Sequence, residues 1–143
     1  MKKKKYLGVI MLLALGWLST ACSIEEENPE LPVPTAKNVE IGYDNNKQGI
    51  IGKDFHFNAD VQAGDKIAAV AVLIQQKTDE EFEDEWSLSL EWEEYEGLKN
   101  TTIHKHFTIP DDAIAGNYDF IFTVVDTNGE TLELVEDFII LTE

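Results

Sequence analysis

Two of the three histidines in the chain, His104 and His106, lie two residues apart in the stretch TTIHKHFTIP, residues 101–110. Polar and apolar residues alternate here, which is typical of a β-strand with one buried face. Side chains two residues apart in a strand project from the same face, about 7 Å apart along it. Both imidazoles are therefore predicted to point away from Ile103 and Phe107. They are either a pair of metal ligands or simply hydrated side chains on an exposed face.

The third histidine, His56, lies in the stretch DFHFNADV, residues 54–61, at a polar position between Phe55 and Phe57. In an immunoglobulin-like strand order, this strand is predicted to pair antiparallel with the strand of His104 and His106, so that their polar faces form one surface. Three imidazoles would supply three nitrogen ligands, which suit zinc or copper. The candidate metal site is therefore His56, His104 and His106. Neutral imidazole is the binding form, so binding should weaken as pH falls toward the reference pKa of about 6.5.

The elements that must position these residues are predicted to be β-strands. No helical period occurs after residue 21, and period-two alternation dominates in residues 37–41, 54–61, 67–76, 102–109, 116–126 and 132–141. Segments rich in Asn, Asp and Gly separate several of these runs and predict turns, among them residues 43–49, 63–65 and 126–130. We therefore expect an all-β domain over 37–143, an immunoglobulin-like β-sandwich of about seven strands. Tyr118 occupies the place of a tyrosine corner in such a domain.

An acidic segment, residues 78–100, interrupts the pattern of strands and contains ten Asp or Glu residues with aromatic residues between them. The residues at positions 86, 88, 90 and 92 are Trp, Leu, Leu and Trp. This alternation favours a long hairpin whose apolar side chains pack on the sheet while its charges face water. The other interpretation is a recognition loop, in which Trp86, Trp92 and Tyr95 contact a partner protein and the carboxylates select a cationic surface.

The N-terminus predicts export and lipid attachment. Residues 1–21 combine four lysines with a 13-residue apolar run, which has the length of a signal-peptide core and is too short to span a bilayer. The motif LSTAC resembles the lipobox of bacterial lipoproteins, although Ser19 stands where leucine is usual. The resemblance implies that Cys22 is lipidated and becomes the first mature residue.

The segment after Cys22 predicts where the domain is displayed. Residues 22–36 form an acidic and proline-rich linker, and SIEEEN within it resembles the surface-export signal of Bacteroidota lipoproteins. Proline-rich segments act as extended spacers. We therefore expect a lipid anchor in the outer membrane, with the domain exposed at the cell surface and an outer-membrane protein as a candidate partner.

The charge of the chain excludes one class of function. All 11 basic residues are lysines, four of which lie in the signal peptide, so the mature chain has seven lysines against 28 acidic residues, a net charge of −21. Such a field repels phosphate backbones, and nucleic-acid binding is not expected.

The sequence also lacks a nucleophile elbow, a zinc-protease helix motif and a phosphate-binding loop. We therefore do not expect an enzyme.

Four stretches together carry a family resemblance: DFHFNADV, AAVAVLIQ, IHKHFTIP and AGNYDFIFTVVDTNGE. Over about residues 36–142 the chain resembles domain of unknown function 4625, a family found on Bacteroidota lipoproteins. The resemblance implies that histidines at the positions of His56, His104 and His106 are part of the family pattern. Members often have further histidines where this chain has Gln75 or Gln76 and Asp119. The resemblance implies fold and location, but no established activity.

Two functions follow from these features. The first is a surface-anchored binding module that binds a transition metal, zinc or copper, through its histidine cluster. The alternative is a structural or adhesive immunoglobulin-like lipoprotein without a small ligand, which contacts a partner protein through the acidic aromatic segment.

Overall fold

The computed structural model describes residues 30–79 and 81–143. The described part of the chain contains eight strands and two short 3-10 turns, at Tyr43–Asn45 and Glu93–Tyr95. The strands are β1 (Thr35–Ile41), β2 (Gln48–Ile50), β3 (Asp54–Gln62), β4 (Ile67–Gln76), β5 (Ser87–Glu91), β6 (Asn100–Thr108), β7 (Gly116–Asp126) and β8 (Thr131–Leu141). Within these ranges, no helix has the length and apolar character needed to cross a membrane. The predicted signal peptide, Cys22 and residues 23–29 of the predicted linker lie outside the described residues.

The strands form two sheets that enclose one hydrophobic core. The smaller sheet has the order β1-β3-β6, and the larger has the order β2-β8-β7-β4-β5. All pairings are antiparallel except that of β2 with β8. Phe57 from the small sheet meets Phe120 and Phe122 from the large sheet, with ring centroids 5.3 and 4.9 Å apart. The predicted all-β sandwich is confirmed.

The alternation of β7 shows how the sequence builds this core. Tyr118, Phe120, Phe122 and Val124 are fully buried, whereas the residues between them are partly exposed. Successive side chains of a strand point to opposite faces, so this pattern buries one face of β7. Burying one such side chain contributes about 1.5–3 kcal/mol. The apolar spacing in the sequence is therefore sufficient to predict which face of β7 packs in the core, and the pairing with β4 and β8 places the strand at the centre of its sheet.

Two features of the strands differ from the sequence prediction. Residues 43–49 were predicted to be a turn only, but β2 follows the 3-10 turn and pairs in parallel with the end of β8. A side chain at Gly49 would lie 2.9 Å from Phe138 and 3.0 Å from Ile109, so the close approach needs glycine. A three-residue strand is too short to show a period. In addition, β1 begins two residues before the predicted start at Lys37.

Tyr118 forms the predicted corner at the start of β7. Its ring is fully buried, and its hydroxyl donates a hydrogen bond to the backbone carbonyl of Ile114 over 2.6 Å. Burial raises the pKa of Tyr118, so the hydroxyl stays protonated and remains a donor. This bond ties the loop before β7 to the core.

We predict that Tyr118→Phe destabilises the domain by about 1–3 kcal/mol, because the Ile114 carbonyl loses its partner while the ring packing is kept. Tyr95→Phe is the matched control, since its hydroxyl makes only a 3.4 Å contact with the His104 amide. Urea unfolding of the purified chain measures both changes. Equal stability of Tyr118→Phe and the parent would contradict a structural role for the bond.

Candidate metal centre

The pairing of β3 with β6 brings the three histidines together. His56 lies directly opposite His106, and Asn58 lies opposite His104, in an antiparallel register without interruption. The three imidazole centroids are 5.0 to 5.2 Å apart, and one ring nitrogen from each lies within 4.8 Å of the other two. The predicted pairing of these two strands, and the shared face that follows from it, are confirmed.

The exposure of the three rings differs from the sequence expectation. All three were expected on a hydrated face, and His104 and His106 are indeed exposed, but His56 is only 9% exposed. Tyr43 covers it, with ring centroids 5.5 Å apart and an angle of 21° between the planes. The cluster is therefore half open, with one buried imidazole and two exposed ones.

The turn that carries Tyr43 depends on left-handed backbone conformations. Gly42, Asp44 and Asn45 all have positive φ angles, of 76°, 55° and 54°. Glycine, asparagine and aspartate adopt this conformation most readily. Because the segment was predicted only as a turn, Tyr43 was not predicted to be part of the site. Nothing in the sequence pattern indicates that this ring returns to β3.

Each imidazole has a side-chain oxygen next to one of its nitrogens. The distances are 2.7 Å from His106 Nδ1 to Asp54 Oδ2, 3.5 Å from His56 Nε2 to Glu40 Oε2, and 3.4 Å from His104 Nδ1 to Asn58 Oδ1. Glu40 belongs to β1, and Asp54 and Asn58 belong to β3, the strand that pairs with β6. Metal-binding histidines characteristically have such partners on the nitrogen that does not bind the ion.

Asp54 is the charged centre of this group of polar side chains. The hydrogen bond from His106, followed by that from the Tyr43 hydroxyl at 2.7 Å, lowers the pKa of Asp54. The hydrogen bond to Asp54 raises the pKa of Tyr43 in turn. At neutral pH, Asp54 is therefore a carboxylate that accepts from a neutral phenol and an imidazole.

The spacing of two nitrogens already suits a bound ion. His56 Nδ1 and His106 Nε2 face each other over 3.4 Å. Ligands about 2.0–2.1 Å from a tetrahedral zinc ion are about 3.3 Å apart, by the geometry of the tetrahedron. His104, whose side chain is exposed, offers a third ring nitrogen within 4.8 Å of the other two.

The positions at which the family resemblance implied further histidines lie elsewhere. Gln75, Gln76 and Asp119 belong to β4 and β7 of the five-stranded sheet, where Gln75 is opposite Asp119. The histidine cluster belongs to the other sheet. The absence of histidine at these positions therefore takes no ligand away from the cluster.

The acidic segment packs in the way that its alternation indicated. It forms β5, which pairs with β4, and the aromatic side chains of the segment are half-buried against the core. Trp86 meets Tyr118 edge-on at 5.6 Å, and Trp92 stacks on Phe57 at 6.0 Å. The Lys105 ammonium lies 5.4 Å from the centre of the Trp92 ring and 5.3 Å from that of Tyr95. The structure thus places the proposed partner-binding residues Trp86, Trp92 and Tyr95 in intramolecular contacts.

Comparisons with known proteins place the chain in a family. The model of the family described as a domain of unknown function, DUF4625, matches residues 20–141, and the chain belongs to this family. Among solved structures, the fold is similar to that of a Niemann-Pick type C2 protein from Japanese carpenter ant, with a TM-score of 0.53 and 11% identity over 82% of this chain and 98% of that chain. This likeness concerns the fold alone. No curated protein matches the sequence.

We predict that Trp92→Ala destabilises the domain by about 2 kcal/mol, less than the 3–5 kcal/mol typical of a fully buried tryptophan, because the ring is half-buried. Leu98→Ala is the control, since this side chain is 43% exposed and should cost well under 1 kcal/mol. Thermal unfolding distinguishes the two interpretations of the acidic segment. If Trp92 served a partner rather than the core, its loss would leave the melting temperature unchanged.

Proposed function

We propose that this protein is a lipid-anchored binding module of the outer membrane, exposed at the cell surface, that binds a transition metal, zinc or copper, through His56, His104 and His106. One observation supports the metal site above all. Three imidazoles from two paired strands have ring nitrogens within 4.8 Å of one another, and two of these nitrogens are spaced as ligands of one ion.

The proposed role is binding rather than catalysis. The sequence has no catalytic motif, and the histidine rings contact only one another, Tyr43 and oxygen-bearing side chains in the contacts described above. The net charge of the mature chain, −21, attracts cations and basic partners. The alternative, an adhesive lipoprotein that uses the acidic segment, has less support because its aromatic rings pack against the core.

The proposed location rests on the N-terminal sequence. The lipobox-like motif ends at Cys22, and the family match begins at residue 20, two residues earlier. A lipidated cysteine followed by an acidic, proline-rich linker would hold the domain off the membrane surface. An outer-membrane protein is the partner that this location favours.

We expect zinc or copper to raise the melting temperature of the purified chain, and His104→Ala/His106→Ala to abolish the rise. At a metal concentration 100-fold above the dissociation constant, binding to the folded state contributes about 2.7 kcal/mol. For a domain of this size, that corresponds to a shift of roughly 10 °C. Differential scanning fluorimetry measures the shift.

Thr108→Ala is the control on the same exposed face of β6, and its metal response should equal that of the parent. The shift should also shrink in acid, since protons compete with the metal for the imidazole nitrogens. A wild-type chain that fails to respond to either metal would end the proposal. An equal response of the double variant would place the metal elsewhere.

Cys22→Ser is expected to release the protein from the membrane fraction, because the two-chain lipid anchor that stable attachment requires is lost. Fractionation of expressing cells, followed by immunoblotting, measures the distribution. Mutation of the three glutamates in residues 25–27 to alanine is the companion variant. It should keep the membrane attachment and lose accessibility to external protease. Recovery of the Cys22→Ser protein in the membrane fraction would contradict lipidation at this residue.

A further inference from the structure

The oxygens beside the imidazoles determine which nitrogen of each ring is free to bind an ion. A neutral imidazole has one N–H donor and one nitrogen with a lone pair, and a side-chain oxygen beside one nitrogen favours the hydrogen on that side. Asp54 lies beside Nδ1 of His106 and Glu40 beside Nε2 of His56. The free nitrogens are then Nε2 of His106 and Nδ1 of His56, which are the two atoms that face each other.

We propose that Asp54 and Glu40 are positioning residues that impose a mixed ligand set on the site, with Nδ1 of His56 and Nε2 of His104 and His106 as the metal ligands. This inference rests on the proposed metal-binding function. Asn58 has the same role for His104 by its 3.4 Å contact to Nδ1, which leaves Nε2 free.

The orientation of His56 is fixed from two sides. Its ring is buried beneath the stacked ring of Tyr43, so a flip of the imidazole would displace Tyr43. Tyr43 is in turn held by its hydrogen bond to Asp54. Glu40 is held as well, because its other carboxylate oxygen accepts the backbone N–H of Asp44 over 3.0 Å. The residues of the turn therefore set the direction in which Nδ1 of His56 points.

This arrangement favours a cation between the rings. When the outer nitrogens of His56 and His106 both carry hydrogen, the inner two are both acceptors, 3.4 Å apart. Without an ion, a proton on either inner nitrogen makes the same contact a hydrogen bond, whereas a metal ion between them would bind both lone pairs. Asp54 and Glu40 add two carboxylates on the outer side, which favour a cation at the centre. The same two carboxylates thus orient the rings and favour a cation between them.

The ligand atoms can be determined directly by nitrogen NMR. Long-range 1H–15N correlation spectra of the full chain, purified in detergent and loaded with Zn²⁺, distinguish the metal-bound from the protonated nitrogen of each imidazole. We expect zinc on Nδ1 of His56 and on Nε2 of His104 and His106. Tyr43→Ala should uncover His56 and give a mixture of Nδ1 and Nε2 binding for that residue alone. Zinc on Nε2 of His56 in the wild-type chain would overturn the inference.

The positioning role predicts a loss of affinity that a lost charge alone cannot produce. Asp54→Ala should weaken Zn²⁺ binding by about 10–100-fold, as is typical when an outer partner of a ligand is removed. Asp60→Ala is the matched control, because Asp60 is also a carboxylate on this face of β3 but bonds to Asn38 and Thr102. It loses the same charge and should weaken binding by no more than about threefold. Titration calorimetry measures the three dissociation constants.

The outcomes separate this inference from the proposed function. If the wild-type chain binds no Zn²⁺, both the proposed function and this inference are wrong. If it binds Zn²⁺ through the three histidines but Asp54→Ala and Asp60→Ala weaken binding equally, only the positioning role is wrong. A clearly greater loss in Asp54→Ala than in Asp60→Ala, about threefold or more, together with the mixed nitrogen pattern, would establish it.

Discussion

The antiparallel register of β3 with β6 is the constraint on which the candidate site depends. The pairing runs without a bulge from Asp54 opposite Thr108 to Gln62 opposite Asn100. A slip of one residue would move every side chain of one strand to the other face and separate the imidazoles. The register is held from the buried face, where Phe55, Phe57 and Ile103 are almost completely inaccessible. The hydrophobic core of the sandwich therefore positions a polar site on its opposite surface.

The segment between β1 and β3 surrounds His56 together with the residues that flank it. Tyr43 of this segment covers the ring of His56, and Glu40 of β1 and Asp54 of β3 place carboxylates beside the outer nitrogens of His56 and His106. A buried polar ring is costly unless its nitrogens have partners, so the same contacts that would orient a metal ligand also make the burial of His56 tolerable. The contacts that stabilise the buried imidazole are thus the same ones that would orient it in the proposed metal site.

Charge and packing are combined differently in the acidic segment. Its carboxylates face water, whereas its aromatic rings close the edge of the five-stranded sheet over Phe57 and Tyr118. Lys105 of β6 reaches across to these rings and to Glu94, so the segment also connects the two sheets. Alternation within residues 86–92 was enough to predict that one face of this strand is buried, because an apolar face packs against other apolar residues. The residues that it packs against, Phe57 and Tyr118, lie far away in the chain and could not be predicted from the alternation.

The sequence by itself determined the class of fold, most of the strands and the polar face on which each histidine lies. It could do so because alternation with period two is a local property, present in β3, β6 and β7 without reference to the rest of the chain. Only the tertiary structure determined three features: the stacking of Tyr43 on His56, the short strand β2, and the side-chain oxygens beside the imidazoles, which come from Glu40, Asn58 and Asp54. These contacts depend on left-handed backbone conformations and on residues that meet across strands, and no periodic signal in the sequence reports either of them.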